Sequence, residues 1–401
     1  MSPVSSINIC SIRNTVAGCV VPFSEQDTGL TFKSNEFERA FEATLAECSI
    51  ISREEAEHFV VKGFVLVKGA FSKEHASHVA EHAWRELEMA HGVERNDPTT
   101  WARPSPGPGP AGYTRLKGSE KQHQLRTLAP RAFHAHLDLV GGAHRLPRNG
   151  DQLAWGEGVI SNLGIPDDPR WQPPAARQPG WHKDGWHFRH FLNSPEQALV
   201  TVPLYSDVQP KSGGTYLALD SIGPVARLLL DSPGGIHPDS VQGGGYLIPG
   251  LADQCSEFGE LTGEAGDMVL LHPYMLHRVS INPSTRPRFI ANMAPVLSEP
   301  MKFDREPDDC YSLVELATLH ALGKTSCNFG QERPMQGFKP FPFRDENEKR
   351  LEGEYLREEM QVFAKKGYVS PDWAQDCGYM SNRAMSDSES VHSVSPGGRF
   401  E

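Results

Sequence analysis

Residues 180–191 read "GWHKDGWHFRHF", a stretch that sets three histidines and one carboxylate among aromatic residues. Imidazole and carboxylate together form a donor set for divalent transition metals, and a site with few protein ligands leaves positions open for chemistry. A histidine and an aspartate two residues apart serve one ion only where the backbone sends both side chains the same way. A strand does this, whereas in a helix the two diverge by about 200°.

Three His-x-Asp triplets occur in the chain. His136 and Asp138 fall within a helix expected from Pro130 to about Val140, where the two side chains part. His237 and Asp239 sit in the turn-rich "SPGGIHPDS", with no strand around them. Only His182 and Asp184 stand at the edge of a β-type region, extended by Pro179 and Gly180. A third ligand must come from elsewhere, and "GDMVLLHPYMLHRVSINPSTRPRF" offers His272 and His277. Five apart, they face opposite sides of a single strand, and Pro273 between them can shift the register. Parity leaves both open.

The elements that must position these groups are legible from pattern. From about 155 to 297, short β-type runs alternate with turn residues: "EGVISNLG", "QALVTVPLYSD", "GGTYLAL", "GDMVLLHPYMLH" and "RPRFIANMAPV". This reads as a β-rich core without helix-length repeats. Ahead of it, "GFVLVKGAFS" at 63–72 is a strand running into a helix capped by Ser72, with Ala76, Val79, Ala80, Ala83, Trp84 and Leu87 on one face. "RPSPGPGPAG" at 103–112 is a loop. After the core, "SLVELATLHALG" carries a capping box (Ser312, Glu315) and a terminal Gly323, and a second charged helix is expected over 345–366.

Composition narrows the class. The chain has 401 residues and a formal net charge of −12, so no global basic field attracts nucleic acid or anionic lipid. Seven scattered cysteines without a C-x-x-C pair suit reduced thiols, and the absence of a long apolar run or a signal-like start makes the cytoplasm the expected compartment. Mobile tails are expected over 1–34 and 377–401, flanking one domain over 35–376.

In this order, "WHKDGWHFRHF", "SGGTYLAL" and "GDMVLLHPYMLHRVSINPSTRPRF" resemble the core motifs of the phytanoyl-CoA dioxygenase family of Fe(II)- and 2-oxoglutarate-dependent oxygenases. The likeness covers roughly residues 59 to 297. It implies a double-stranded β-helix (jelly-roll, cupin-like) with supporting N- and C-terminal helices, a β-rich α+β class. It implies that His182, Asp184 and His277 hold iron, choosing His277 over His272. Arg288, eleven residues beyond His277, then grips the distal carboxylate of 2-oxoglutarate, with Arg286 as runner-up and Thr215 as a further contact. His272 becomes a structural residue. The implied co-substrates are 2-oxoglutarate and O2, the implied partner a small organic molecule, and the retained Asp184 points away from the iron halogenases, which lack that carboxylate. One departure is "LALDSIGPV" where the family often has a histidine-containing turn. His187, Arg189 and His190 read as lining the barrel mouth or bonding nearby backbone, and Trp181 and Trp186 as core. Two rival readings stand beside this one: a non-oxidative zinc or nickel enzyme on the same barrel, and a non-catalytic sensor or scaffold.

Overall fold

The computed structural model describes residues 34–102, 109–119, 121–185, 188–236, 250–306 and 309–330, with positions 358, 359, 361, 362 and 365. The two expected tails apart from Ser34, His237 and Asp239, Trp186 and His187, most of the 103–112 loop and most of the expected 345–366 helix lie outside the described residues.

Two helices open the described chain, α1 (Asn35–Glu47) and α2 (Arg53–Lys62). Ser34 and Ser52 accept from first-turn N–H groups, and Glu55 completes a capping box on α2; each cap contributes about 1 kcal/mol. Gly63 ends α2 at φ +74, a conformation that suits glycine, and the chain enters β1 (Phe64–Val67). Next comes α3 (Lys73–His91), capped by Ser72 and burying Ala76, Val79, Ala83, Trp84 and Leu87 as the periodicity implies. β2 (Tyr113–Leu116), β3 (Gln122–Gln124) and the single turn α4 (Leu125–Leu128) lead to α5 (Pro130–Val140), with Pro130 in its first turn.

The strand-rich part follows: β4 (Ala154–Gly156), β5 (Val159–Asn162), β6 (Val200–Pro203), β7 (Tyr216–Ala218), β8 (Phe258–Glu260), β9 (Met268–Leu271), β10 (Leu276–Arg278) and β11 (Arg288–Ile290). The expectation of a β region without helices needs correction, because α6 (Ile222–Leu230) lies between β7 and β8. Seven of its nine residues are buried, and Gly223 and Pro224 in its first turn read in the sequence as turn punctuation between strands. α7 (Leu313–Leu322) closes the fold with the expected capping box and Gly323.

All the strand pairs are antiparallel. Strands run β1–β9–β6 in one sheet and β11–β5–β2 in another. The bridges Thr201 to Met293 and Leu204 to Ile290 join them, so the strands form one large layer in the order β2–β5–β11–β6–β9–β1. The small layer is β10–β7–β8. Residues of both layers meet in one apolar cluster: Leu66, Ile160, Val202, Val269 and Ile290 from the large, Leu217 from the small. Neighbours in sequence alternate out of it. Val65, Leu270 and Phe289 turn to the helical side, where Phe289 meets Trp84 edge-on at 5.5 Å. This alternation decides which side chains look inward.

α5 pins the helices to the large layer. Its His136 Nδ1 donates to the Ala132 carbonyl (2.7 Å), while Nε2 accepts from the Thr201 hydroxyl (2.7 Å). Burial holds this imidazole neutral, its pKa pulled down to about 4. Asp138 instead accepts from the N–H groups of Ser49, Ile50 and Ile51. The pair therefore diverges as helical geometry demands. Cys48, Cys255, Cys310 and Cys327 are free thiols. No helix among the described residues is long and apolar enough to cross a membrane.

α7 touches α1, α2, α5 and α6, and it is fastened by one carboxylate. Glu315, 1% exposed, accepts from Arg145 (2.8 Å), Arg305 (2.7 and 2.9 Å) and the N–H groups of Lys302 and Ser312. Burial raises its pKa, but the two guanidinium groups outweigh burial and hold it below the usual carboxylate range. A depressed folded pKa means that this stabilisation is present above the unfolded carboxylate pKa and is lost as pH falls through the folded value. Glu315→Gln is expected to cost about 3 kcal/mol at neutral pH, because it leaves two poorly hydrated guanidinium groups short of their partner. Urea denaturation at pH 7 and at pH 3 checks this, with the gap to wild type narrowing in acid; identical midpoints at pH 7 would sink the assignment.

Candidate functional site

Two backbone hydrogen bonds build the site. The His182 N–H donates to the His277 carbonyl at 3.0 Å, and the His277 N–H to the His182 carbonyl at 2.9 Å. Residues paired this way in an antiparallel bridge share a face. His277 lies in β10 opposite Leu217, which is inward, so both imidazoles turn inward as well. Asp184, two residues beyond His182, returns to the same side.

The donors converge. Asp184 Oδ1 lies 3.7 Å from His182 Nε2 and 3.6 Å from His277 Nε2, and the two rings are 4.4 Å apart. Metal–ligand bonds of about 2.1 Å hold neighbouring donors roughly 3 to 3.5 Å apart, so small movements suffice to seat an ion. Each histidine is already oriented for this. His182 Nδ1 donates to the Gly180 carbonyl (2.9 Å) and His277 Nδ1 to the Met275 carbonyl (3.0 Å), which leaves both Nε2 lone pairs facing Asp184. Asn292 Nδ2 donates to Asp184 Oδ2 at 3.1 Å and leaves Oδ1 free.

The charges of these donors are coupled. Burial raises the Asp184 pKa, but His277, His182 and Arg115 outweigh it and hold the carboxyl well below its usual range. Burial lowers His277, and Asp184 beside it wins and raises it. His182, under burial and the charge of His277, is pulled down to about 4. One carboxylate thus serves two imidazoles, the charge balance a divalent ion would take over.

The residue between the ligands has its own task. Lys183 alternates to the opposite side, where its Nζ donates to His190 Nδ1 (2.7 Å), Gln197 Oε1 (3.0 Å) and the Asp184 carbonyl (3.1 Å). His190 passes the chain on from Nε2 to the Gly185 carbonyl at 2.7 Å. Gly185, at φ +122, has no room for a side chain: a Cβ there would come within 2.3 Å of the His190 ring. The loop after Asp184 is therefore fastened from behind. Burial draws the Lys183 ammonium down to about 7. Arg189 is buried and bonds the Gly235 carbonyl (3.2 Å) and Glu359, so it ties backbone together. Trp181 is core, and its Nε1 donates to the Ala175 carbonyl at 3.0 Å.

Arg288 sits on the inward face of β11 with Ile290 and is 2% exposed. Its Nη1 donates to Thr215 Oγ1 at 3.3 Å, while Nε and Nη2 have no hydrogen-bond partner. Burial lowers its pKa to about 10. Thr215 lies two residues before Leu217, the cross-strand partner of His277, so it stands about 7 Å along the strand from that histidine. Arg286 is exposed. His272 does not join the site: it follows β9 and turns to α7, with Nε2 near the Val314 carbonyl (3.2 Å) and Thr318 Oγ1 (3.1 Å). The chain reverses between His272 and β10, so the parity of a single strand never applied.

Sequence reasoning missed Asn292, Lys183 and Arg115. Asn292 was within reach, because positions 288, 290 and 292 share a strand face. Arg115, exposed on β2, acts electrostatically on His182, Asp184 and Arg288 alike, which puts both ends of the site in one neighbourhood. Nothing in its local sequence marks it.

No protein-family model and no curated protein matches the chain. Several solved structures resemble it weakly. The non-heme alpha-ketoglutarate-dependent carbocyclase SnoK from nogalamycin biosynthesis has a TM-score of 0.37 at 14% identity, over 63% of this chain and 86% of its own. EctD from S. alaskensis, in its apo form, gives 0.35 at 14%, over 71% and 88%. The epimerase SnoN, solved with Fe3+, alpha-ketoglutarate and nogalamycin RO, gives 0.33 at 15%, over 59% and 80%. Likenesses of this strength transfer no activity, so the functional reading rests on the chain's own residues.

A buried guanidinium with two idle nitrogens costs stability until an anion arrives. Arg288→Met is therefore expected to melt at least as high as wild type without ligand. In the presence of Mn2+, a saturating small dicarboxylate should raise wild-type Tm by several degrees and leave the variant unmoved. Thermal melts of the two proteins check this; a variant that melts well below wild type without ligand would mean that Arg288 is a structural residue.

Proposed function

We propose that the chain is an Fe(II)- and 2-oxoglutarate-dependent dioxygenase of the phytanoyl-CoA dioxygenase type, on a double-stranded β-helix, that oxidises a C–H bond of a small organic molecule. The observation that carries this reading is the inward convergence of His182, Asp184 and His277 on the same neighbourhood as a buried arginine with free donors. Two histidines and one carboxylate with open positions suit non-heme Fe(II). Arg288 suits the co-substrate, since a fork of guanidinium N–H groups matches a carboxylate in plane and charge.

His182, Asp184 and His277 would hold the metal, and iron bound there supplies oxygen activation coupled to the breakdown of 2-oxoglutarate to succinate and carbon dioxide. The chain does the positioning. Arg288 offers Nε and Nη2 to the distal carboxylate and Thr215 adds a hydroxyl beside it. The Gly180 and Met275 carbonyls keep both Nδ1 protons in place, and Asn292 orients the Asp184 carboxylate, so only small movements would be needed to seat an ion.

Succinate formation tests the reading. Anaerobically purified protein supplied with Fe(II), ascorbate, oxygen and 2-oxoglutarate is expected to form succinate above the level of Asp184→Ala. If turnover is strictly coupled to the unidentified substrate, calorimetry on the same sample still detects 2-oxoglutarate binding to wild type and not to Arg288→Met. Absence of both succinate and binding would replace this reading with a sensor or scaffold on the same fold.

A further inference from the structure

A second set of metal donors lies on other elements. His75 is in the first turns of α3, His123 in β3 and Glu157 directly after β4, and their ligand atoms all fall within 4.8 Å of one another. His123 Nε2 is 2.7 Å from Glu157 Oε1, and the His75 and His123 rings are 5.0 Å apart, edge to face. Taken alone, the histidine and glutamate are an ordinary ion pair. His75 makes them more than that, because its Nε2 is buried and has no hydrogen-bond partner. Phe71 and Trp155 pack edge-on against the half-buried ring at 5.9 and 6.1 Å. A buried ring nitrogen without a partner costs on the order of 1–3 kcal/mol, and such groups in native proteins call for an unseen ion or water.

The donor chemistry selects the ion. Glu157 is 2% exposed and also accepts from the Ser119 hydroxyl, so it is a carboxylate kept in place beside two imidazoles. Burial, then the charge of His123, lowers the His75 pKa and keeps its ring neutral as a ligand must be. Two imidazoles and one carboxylate suit Zn2+, and the fourth position of a tetrahedral site falls to water or to an imidazole of the same helix. His78 and His82 continue from His75 at helical spacing of three and seven, with rings 4.6 Å apart.

We propose that His75, His123 and Glu157 form a second, structural Zn2+ site that clamps the start of α3 to the β3–β4 hairpin. It is independent of the dioxygenase reading. Zinc would replace any proton shared between His123 and Glu157, releasing it to solvent, and would satisfy all three donors at once.

The full-length chain carrying His182→Ala and Asp184→Ala, which removes the first donor set, is titrated with Zn2+ after chelator treatment. It is expected to bind about one equivalent, and adding His75→Ala or Glu157→Gln should weaken binding at least about 100-fold, since loss of an outer partner alone costs about 10–100-fold. Wild type itself should take up about one equivalent more than His75→Ala, a comparison that does not depend on the double variant folding. His75→Cys in the double variant, loaded with Co2+, should add a thiolate-to-cobalt charge-transfer band that its parent lacks. Equal zinc stoichiometry in wild type and His75→Ala, or zinc binding by the double variant that is indifferent to His75 and Glu157, would overturn the site.

Discussion

The pair of backbone hydrogen bonds between His182 and His277 is the constraint on which the site depends. It joins residues 95 positions apart in sequence, and because antiparallel partners share a face it turns both imidazoles inward together. Strand alternation then does the remaining selection. Asp184 comes inward and Lys183 outward on one side, while His277 registers with Leu217 and so with Thr215 two residues earlier. Slipping this register by one residue would carry each of these groups to the other face. The helices serve that register: His272, which ends β9, is held against α7 by the Val314 carbonyl and Thr318, so the turn before β10 cannot drift.

Charge is distributed with the same economy. Asp184, Lys183 and Arg288 would each be costly in isolation, and the fold treats them differently. Lys183 is satisfied behind the site by His190, Gln197 and a carbonyl. Asp184 is satisfied within it by two imidazoles and Asn292. Arg288 is left two-thirds idle, with a single side-chain contact to Thr215. An unspent donor set is a destabilising feature in a stability account and a useful one in a binding account, because a ligand that satisfies it gains what the free protein lacks.

How much of this was legible in the sequence follows from the range of each interaction. Ser72, Ser312 and Glu315 act within one helical turn, and their capping roles stand where the residue types put them. The divergence of His136 and Asp138 was legible too, because it rests on local backbone geometry: the two part to Thr201 and to the loop before α2. α6 was lost because it is short and opens on Gly223 and Pro224, which read as a turn between strands. The choice between His272 and His277 needed the reversal between β9 and β10, which no counting along one strand contains. Arg115 is defined by groups far away in sequence, and Lys183, though its partners are near, reads as a surface lysine next to an aspartate until the fold buries it.

The division of labour between the two layers bears on what this site can do. The large layer is covered on its outer face by α2, α3 and α5, where Val65, Leu270 and Phe289 turn to the helical side, so its strands are held on both sides. Two metal donors, His182 and His277, and the Thr215 hydroxyl belong to the small layer and the segment bridged to it, while Arg288 and Asn292 come from the large one. A ligand held by both sets therefore joins the layers across the interior. Because the large layer is braced, a carboxylate bound as proposed would meet an arginine already held in place, and its binding energy would not be spent on ordering that side chain.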